Sequence, residues 1–403
     1  MSPGIHDLTH HEALIDVTRL LRANAIDGAI RDHYGPEVLR AYRKTFEAVA
    51  GGDIPAMSAM ERTINYLRSG GIAANLGLNL YVSLLHPFNI VKAARAIGPK
   101  WVAKATLRFM SDAATMNSTA KWISEQSPFM ASRTRTMFRE LDEARNVIEG
   151  KSKLRSATTQ ALYYLIERGQ LLADIPTWIA QYDKSTDAGE DHQRAVELAD
   201  QAVLRIQGGG GMKDRPDIMR GNALKKLFTA FYSFTNSNYN LFAESINQTK
   251  KEGIRYTPAL AADTLTYVMF PAIVHMGLRS VLSGQDIDAK DVLSAIANSF
   301  FALFPISRDF GPLIAGTSKD ATPSGLPYEP FARLIADVNK KNAELDEHMI
   351  RDINMVAGTL FHYPAAQIDR TTRGIKALES GETHNPFAVL LGPPPAEKKS
   401  KRL

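Results

Sequence analysis

The 403-residue chain has no cysteine. This excludes a disulfide framework, a thiol nucleophile and a cysteine-ligated metal. It suits a protein that crosses between redox compartments, and chance accounts for it as well. No strong excess of one charge is present either. Forty-eight Lys and Arg face 43 Asp and Glu, a net +5, and the charge is dispersed. A solvated surface therefore explains it as readily as nucleic acid or anionic lipid. No alternating strand pattern recurs and no repeat period is visible. The N-terminal stretch MSPGIHDLTHHEALID has no basic lead and no apolar core, so it does not read as a secretory signal.

What is present is ordinary for a folded protein: 44% apolar and 23% charged residues. The length exceeds one hydrophobic core, so two or three helical layers are expected. The expected fold is all-α, an elongated multi-helix bundle with glycine and proline joints and no sheet of note. The expected divisions are an N-terminal helical segment over 1–68 and a helical bundle over 69–207. Next come a glycine hinge, aromatic helix and apolar hairpin over 208–316, then small C-terminal helices and a basic tail over 317–403.

The organising stretch runs from Ile206 to Phe242. It opens with Gly208, Gly209, Gly210 and Gly211, a candidate hinge. Leu224, Leu227, Phe228, Phe231, Phe234 and Phe242 follow at intervals that place them on one helical face, a candidate helix interface. Asn236, Asn238 and Asn240 interrupt that stripe. Amides among aromatics suit a helix that faces another helix, or lines a wet lumen, better than a dry core.

Three runs lack Asp, Glu, Lys and Arg: Ser69–Val91 with 23 residues, Thr264–Leu278 with 15 and Val292–Ser307 with 16. A spanning helix needs about 20 mainly apolar residues. The first run is long enough, but Asn75, Asn79, His86, Pro87 and Asn89 make it a poor lipid-facing span. An internal bundle helix is the plainer reading, and a segment that inserts in another state is the other. The two shorter runs read as core or interfacial segments joined in a hairpin. Leu76, Leu80, Val82, Leu84, Leu85, Phe270, Phe300 and Phe301 are the candidate membrane contacts. Gly169 and Pro176 are expected to bend or break the helix over Leu154–Ala180. Ser127-Pro128 is a helix-start signature. Arg133 and Arg135 downstream of it, with Lys398 and Lys399 in the tail, are candidate DNA contacts, although an ion-paired face explains the arginines too.

Signatures of chemistry are weak. The glycine run is not a phosphate loop, because Asp214 follows Lys213 and a helical pattern precedes the glycines. His6, His10 and His11 have no carboxylate at ligand spacing. Asp183, Asp187 and Asp191 do not match a calcium loop. Glu167 with Asp174 could mimic a glycan-cleaving pair, but nothing near them builds a sugar cleft. No HExxH and no nucleophile elbow occur. The expectation is a non-enzyme with no catalytic residue, no cofactor and no metal.

Several segments together resemble the C-terminal helical region of the large polyvalent proteins of tailed bacteriophages. They are NLGLNLYVSLLHPFNIVKAARAIGPKW (Asn75–Trp101), SPFMASRTRTMFRE (Ser127–Glu140), DIPTWIAQYDK (Asp174–Lys184), ADQAVLRIQGGGGMKDRP (Ala199–Pro216), KLFTAFYSFTNSNYN (Lys226–Asn240) and FPISRDF (Phe304–Phe310). They occur in the family's order between about Gly70 and Gly316. The family's glycine joint is shorter and more mixed than the four glycines here. The resemblance implies an internal virion or DNA-ejection protein, held in the capsid interior or tail lumen and passed to the host cell envelope. It implies a homo-oligomer that meets other phage ejection, tail or portal proteins, the host membrane, and double-stranded DNA through nonspecific contacts. Alternatives are a capsid-interior DNA-binding scaffold, a structural core protein, and, less in keeping with the residues, a peptidoglycan-cleaving enzyme.

Overall fold

The computed structural model describes residues 19, 23–40, 43, 58–111, 116–133, 137, 138, 141, 144, 153–211, 214, 215, 219, 226, 229, 232–283, 287–304, 328–338 and 346–393. The fold is all-α, with no strand among the described residues. In chain order the helices are α1 (Asn24–Tyr34), α2 (Ala59–Leu76), α3 (Leu80–Leu85), α4 (Ile90–Ile97), α5 (Pro99–Ser111), α6 (Met116–Gln126), α7 (Pro128–Ala131), α8 (Lys153–Asp187) and α9 (His192–Gln207). Then come α10 (Ser233–Glu252), α11 (Thr257–Thr264), α12 (Phe270–Ser283), α13 (Ala289–Ala302), α14 (Tyr328–Val338), α15 (Glu347–Phe361), α16 (Ala365–Glu379) and α17 (Ala388–Leu391).

The body of the molecule is organised around α8, which packs against α3, α4, α5 and α9. Two apolar cores flank it. One gathers Ile97, Val102, Phe109, Ile123, Trp178 and Ile206 with their neighbours. The other gathers Ile72, Met137, Phe138, Leu141, Leu162 and Ile166. Each fully buried large side chain contributes roughly 1.5–3 kcal/mol. Trp178 anchors the first core: it stacks on Tyr182 with centroids 5.1 Å apart and meets the Trp122 ring edge-on at 5.7 Å. Its indole Nε1 donates to Asp200 at 2.8 Å, so the buried ring leaves no polar atom unpaired.

The joints differ from expectation in four places. The charge-free run Ser69–Val91 is not one helix. Gly77 caps α2, Leu78 takes φ +52°, and Asn79 starts α3 by accepting a bond from the Val82 amide. A Cβ at Gly77 would lie 2.5 Å from the Ala73 carbonyl, so the turn needs glycine. Pro176, by contrast, breaks nothing: α8 is continuous for 35 residues across it. Gly169 likewise makes no break. It lets α8 approach α3, since a Cβ there would sit 2.4 Å from the Ser83 oxygen. The N-terminal boundary drawn between Arg68 and Ser69 falls inside α2, which runs unbroken from Ala59.

Helix α2 joins the two ends of the chain by packing against α15 and α16. At the crossing Gly70 meets Thr359 so closely that a Cβ would fall 1.8 Å from its carbonyl oxygen. The Tyr66 hydroxyl donates to the Leu360 carbonyl at 2.7 Å beside that contact.

Helices α10 to α13 form an arm. The chain is helical from Thr235 to Leu282, a length and composition sufficient to cross a membrane, yet an apolar 18-residue stretch of it is only 22% buried. It doubles back at Gly253, whose φ of +69° ends α10, and α11 then packs antiparallel to α10. A π-helical turn over Leu265–Met269 links α11 to α12, and α13 returns along α12 as the expected hairpin.

Candidate functional site

The site with most chemistry is the seam between body and arm. Lys92 and Arg95 on α4 and Arg205 on α9 point from the body. Opposite them the arm presents Ser237, Asn238 and Glu244 on α10 and Asp263 on α11. Lys92 Nζ donates to Asn238 Oδ1 at 3.0 Å and Ser237 Oγ at 3.3 Å. Arg95 pairs with Asp263 at 2.8 Å, and Arg205 with Glu244 at 2.7 Å. Ser245 adds a 2.6 Å hydrogen bond to Asp263 within the arm. Further along, the Tyr81 hydroxyl donates to the His275 carbonyl at 2.7 Å. In each contact across the seam the donor belongs to the body. Arg95, Arg205, Glu244, Tyr256, Asp263 and Tyr267 line a polar cleft of about 140 Å³ there.

The seam is polar because the arm's inner face is. Asn236, Ser237, Asn238, Ser245 and Asp263 are all buried, interleaved with Leu241, Tyr267 and Val268. Large apolar side chains lie on the outside instead: Leu265 is 51% exposed, Val281 79% and Leu293 70%. Phe300, seven residues after Leu293, shares its face of α13 and is also exposed. Neither apolar core contains a residue beyond Ile206.

Behind the seam lies a buried polar cluster. Arg133 Nε donates to Asp174 Oδ2 and Gln170 Nε2 to Asp174 Oδ1, both at 2.7 Å, with the pair fully buried. Burial pushes His86 down to about 4, against the hydrogen bond with Gln170, so the ring is neutral. Burial also lowers Lys92 to about 8, partly offset by the attraction of Asp174. A weakly basic buried lysine is a catalytic signature only where a substrate can reach it. Here its ammonium is taken up by Ser237 and Asn238, and the cleft lies instead at Arg95 and Arg205. No group of three metal-ligating side chains occurs among the described residues. The carboxylates of the cleft are held by guanidinium and hydroxyl groups, so the arrangement acts as a clasp between body and arm.

The structure disperses the residues singled out in sequence. Gly208 caps α9 with φ +84° and donates to the Leu204 carbonyl at 3.0 Å, and Gly208, Gly209 and Gly210 are buried. Arg215 Nε bonds the Gly210 carbonyl at 2.7 Å. Leu224, Leu227, Phe228 and Phe231 lie outside the described residues, Phe234 is on α10, and Phe242 is half-buried. Leu76 and Val82 pack against the second core, which removes them as lipid contacts in this conformation. Leu80, Leu85, Phe270 and Phe301 are half-buried, while Leu84 and Phe300 are exposed. Arg133 is a correction: with its charge buried against Asp174 it has no surface to offer a phosphate. The same ion pair removes Asp174 from a carboxylate dyad with Glu167. Arg135, Lys398, Lys399, His6, His10 and His11 lie outside the described residues.

The seam was partly legible. Of the three asparagines that interrupt the aromatic stripe, Asn238 meets Lys92 across the seam, Asn236 is buried and Asn240 is exposed. Lys92, Arg95, Arg205, Glu244 and Asp263 carried no signal, since charges at helical spacing usually mark a solvated face. Comparison with family models, curated proteins and solved structures found no match.

Proposed function

We propose that this chain is an internal virion or ejection protein of a tailed bacteriophage. On this reading it is an oligomeric helical component that travels with the genome and helps conduct DNA through the tail or host envelope. The observation that carries the reading is the layout of the arm, polar toward its own body and apolar toward the outside. A helix hairpin of that kind gains by exchanging water for another apolar surface, at about 25 cal/mol per Å² covered. The resemblance of six segments to polyvalent phage proteins gives that exchange a setting, with one set of neighbours in the particle and another after release. The partners on this view are further copies of the chain, other ejection, tail or portal proteins, and the host membrane. Duplex DNA is touched without sequence preference.

Mass spectrometry of purified particles before and after genome release tests the proposal. The chain is expected in filled particles and depleted from emptied ones. Its absence from filled particles overturns the reading.

A further inference from the structure

We propose that the outer face of α11 and α12, with the Gly253–Tyr256 turn that leads into it, lies flat on an anionic lipid bilayer. For its biological setting this rests on the delivery reading above. The turn presents Ile254 at 88% exposure, the highest among the large apolar side chains of the described residues. Around it Lys250, Lys251 and Arg255 are exposed. Leu265, Ile273 and Val281 continue the exposed apolar surface along the helix. From Lys250 to Leu282 the cations are Lys250, Lys251, Arg255 and Arg279, and the only anions are Glu252 and Asp263. Asp263 is buried and paired with Arg95, so Glu252 is the one carboxylate on the outside. An apolar surface edged by cations and nearly free of anions matches a surface of anionic headgroups.

Orientation follows from the seam more than from length. The helix is long and apolar enough to cross, but its charge-free part, Thr264–Leu278, has 15 residues, about 22 Å against about 30 Å of bilayer hydrocarbon. Crossing would also drag Asp263, Asn238 and Glu244 from their partners on the body. Lying in the plane keeps the clasp closed and puts only the outer face into the acyl boundary. Lysines 250 and 251 also suit the C-terminal end of α10, but that role calls for neither Ile254 nor Arg255.

The test is flotation of the purified full chain with vesicles of phosphatidylcholine alone, or with phosphatidylglycerol added, at low and high salt. Two variants accompany it, Ile254→Asp and the triple Lys250→Gln, Lys251→Gln, Arg255→Gln. All four positions are exposed, so the thermal midpoints should match the parent. Expected are co-flotation with phosphatidylglycerol vesicles, weakening in salt, and a loss of about a hundredfold in the triple variant. Ile254→Asp should lose about tenfold. Equal partition onto both vesicle types, unchanged variants, or no flotation overturns the inference. So does an Ile254→Asp variant that dissociates a parent oligomer without lipid, since a second copy then covers the turn. A chain found in particles that does not float loses only this lipid face. One that floats but is missing from particles keeps the face and loses the delivery reading.

Discussion

The body and the arm are both helical, but the two apolar cores belong to the body, while the arm's enclosed face mixes amides, hydroxyls and a carboxylate with Leu241, Tyr267 and Val268. In the body Trp178, Ile166 and Ile206 are enclosed, and its buried ion pair is wrapped by two apolar cores. In the arm the enclosed residues include Asn238, Ser245 and Asp263, while Val281 and Leu293 face outward. Apolar burial is non-directional and strong in sum, and in the body two cores supply it from within the chain. At the seam the half-exposed Arg205–Glu244 pair adds little, while Lys92, Asn238 and Asp263 are buried and held by directional hydrogen bonds and an ion pair. The arm is thus attached through directional polar contacts, and its outer apolar face is left to meet other surfaces.

The sharpest way to break the comparison is Asp174→Asn. It leaves the Arg133 guanidinium buried without its counter-charge, and should destabilise the body by roughly 3–5 kcal/mol in denaturant titration. Titration of His86 gives the next effect. Its folded value of about 4 lies below the unfolded 6.5, so below pH 6.5 the unfolded chain binds a proton that the folded chain refuses. Stability is then complete above pH 6.5, falls as the pH drops, and levels near 4, by about 3 kcal/mol in all. Replacing His86 with Leu should flatten that portion of the stability curve, and an unaltered slope would refute the assignment. Gly169→Ala comes third. Its Cβ meets the Ser83 backbone oxygen, so α8 and α3 must separate, at about 1–3 kcal/mol in the same titration.

Substitutions in the arm should register much less. Arg205→Ala removes an ion pair of which both partners are about half exposed, 53% and 51%. A shift below about 1 kcal/mol is expected. Loss of arm protection in hydrogen exchange, with the body unaffected, would mark the seam as a clasp. Leu293→Ser should change stability least, within about 0.5 kcal/mol, while lowering self-association or vesicle binding. A large fall in thermal midpoint instead would show that the outer face is already covered within the fold.

Much of the architecture was legible from periodicity. The faces of α9, built on Ala195, Ala199 and Ile206, and its end at Gly208 follow from spacing and a glycine stop. Ser127 caps α7 as its pairing with proline suggested, with its hydroxyl accepting from the Met130 amide at 2.9 Å. The helix it opens ends at Ala131. The start of α2 had a readable signal in Ser58 and Glu61, a capping box whose two side chains bond each other's backbone amides. The polar seam was not legible in the same way. Arg95 and Asp263 stand 168 positions apart in the numbering, and Lys92 and Asn238 146, so no local spacing links either pair.

The sequence by itself determined the all-α class, the helical face of α9, the apolar hairpin and the absence of thiol chemistry. These depend on composition and on side chains within a turn or two of one another. Only the tertiary structure decided which apolar residues are enclosed and which charges are spent. Leu76 and Leu84 lie in one charge-free run, yet one packs on a core and the other meets solvent. Arg133 reads like its arginine neighbours, yet it alone is known to be sealed against Asp174. The physical reason is that burial is a property of the assembled layers. The same side chain stabilises a core, a seam or a foreign surface according to what the rest of the chain brings to it.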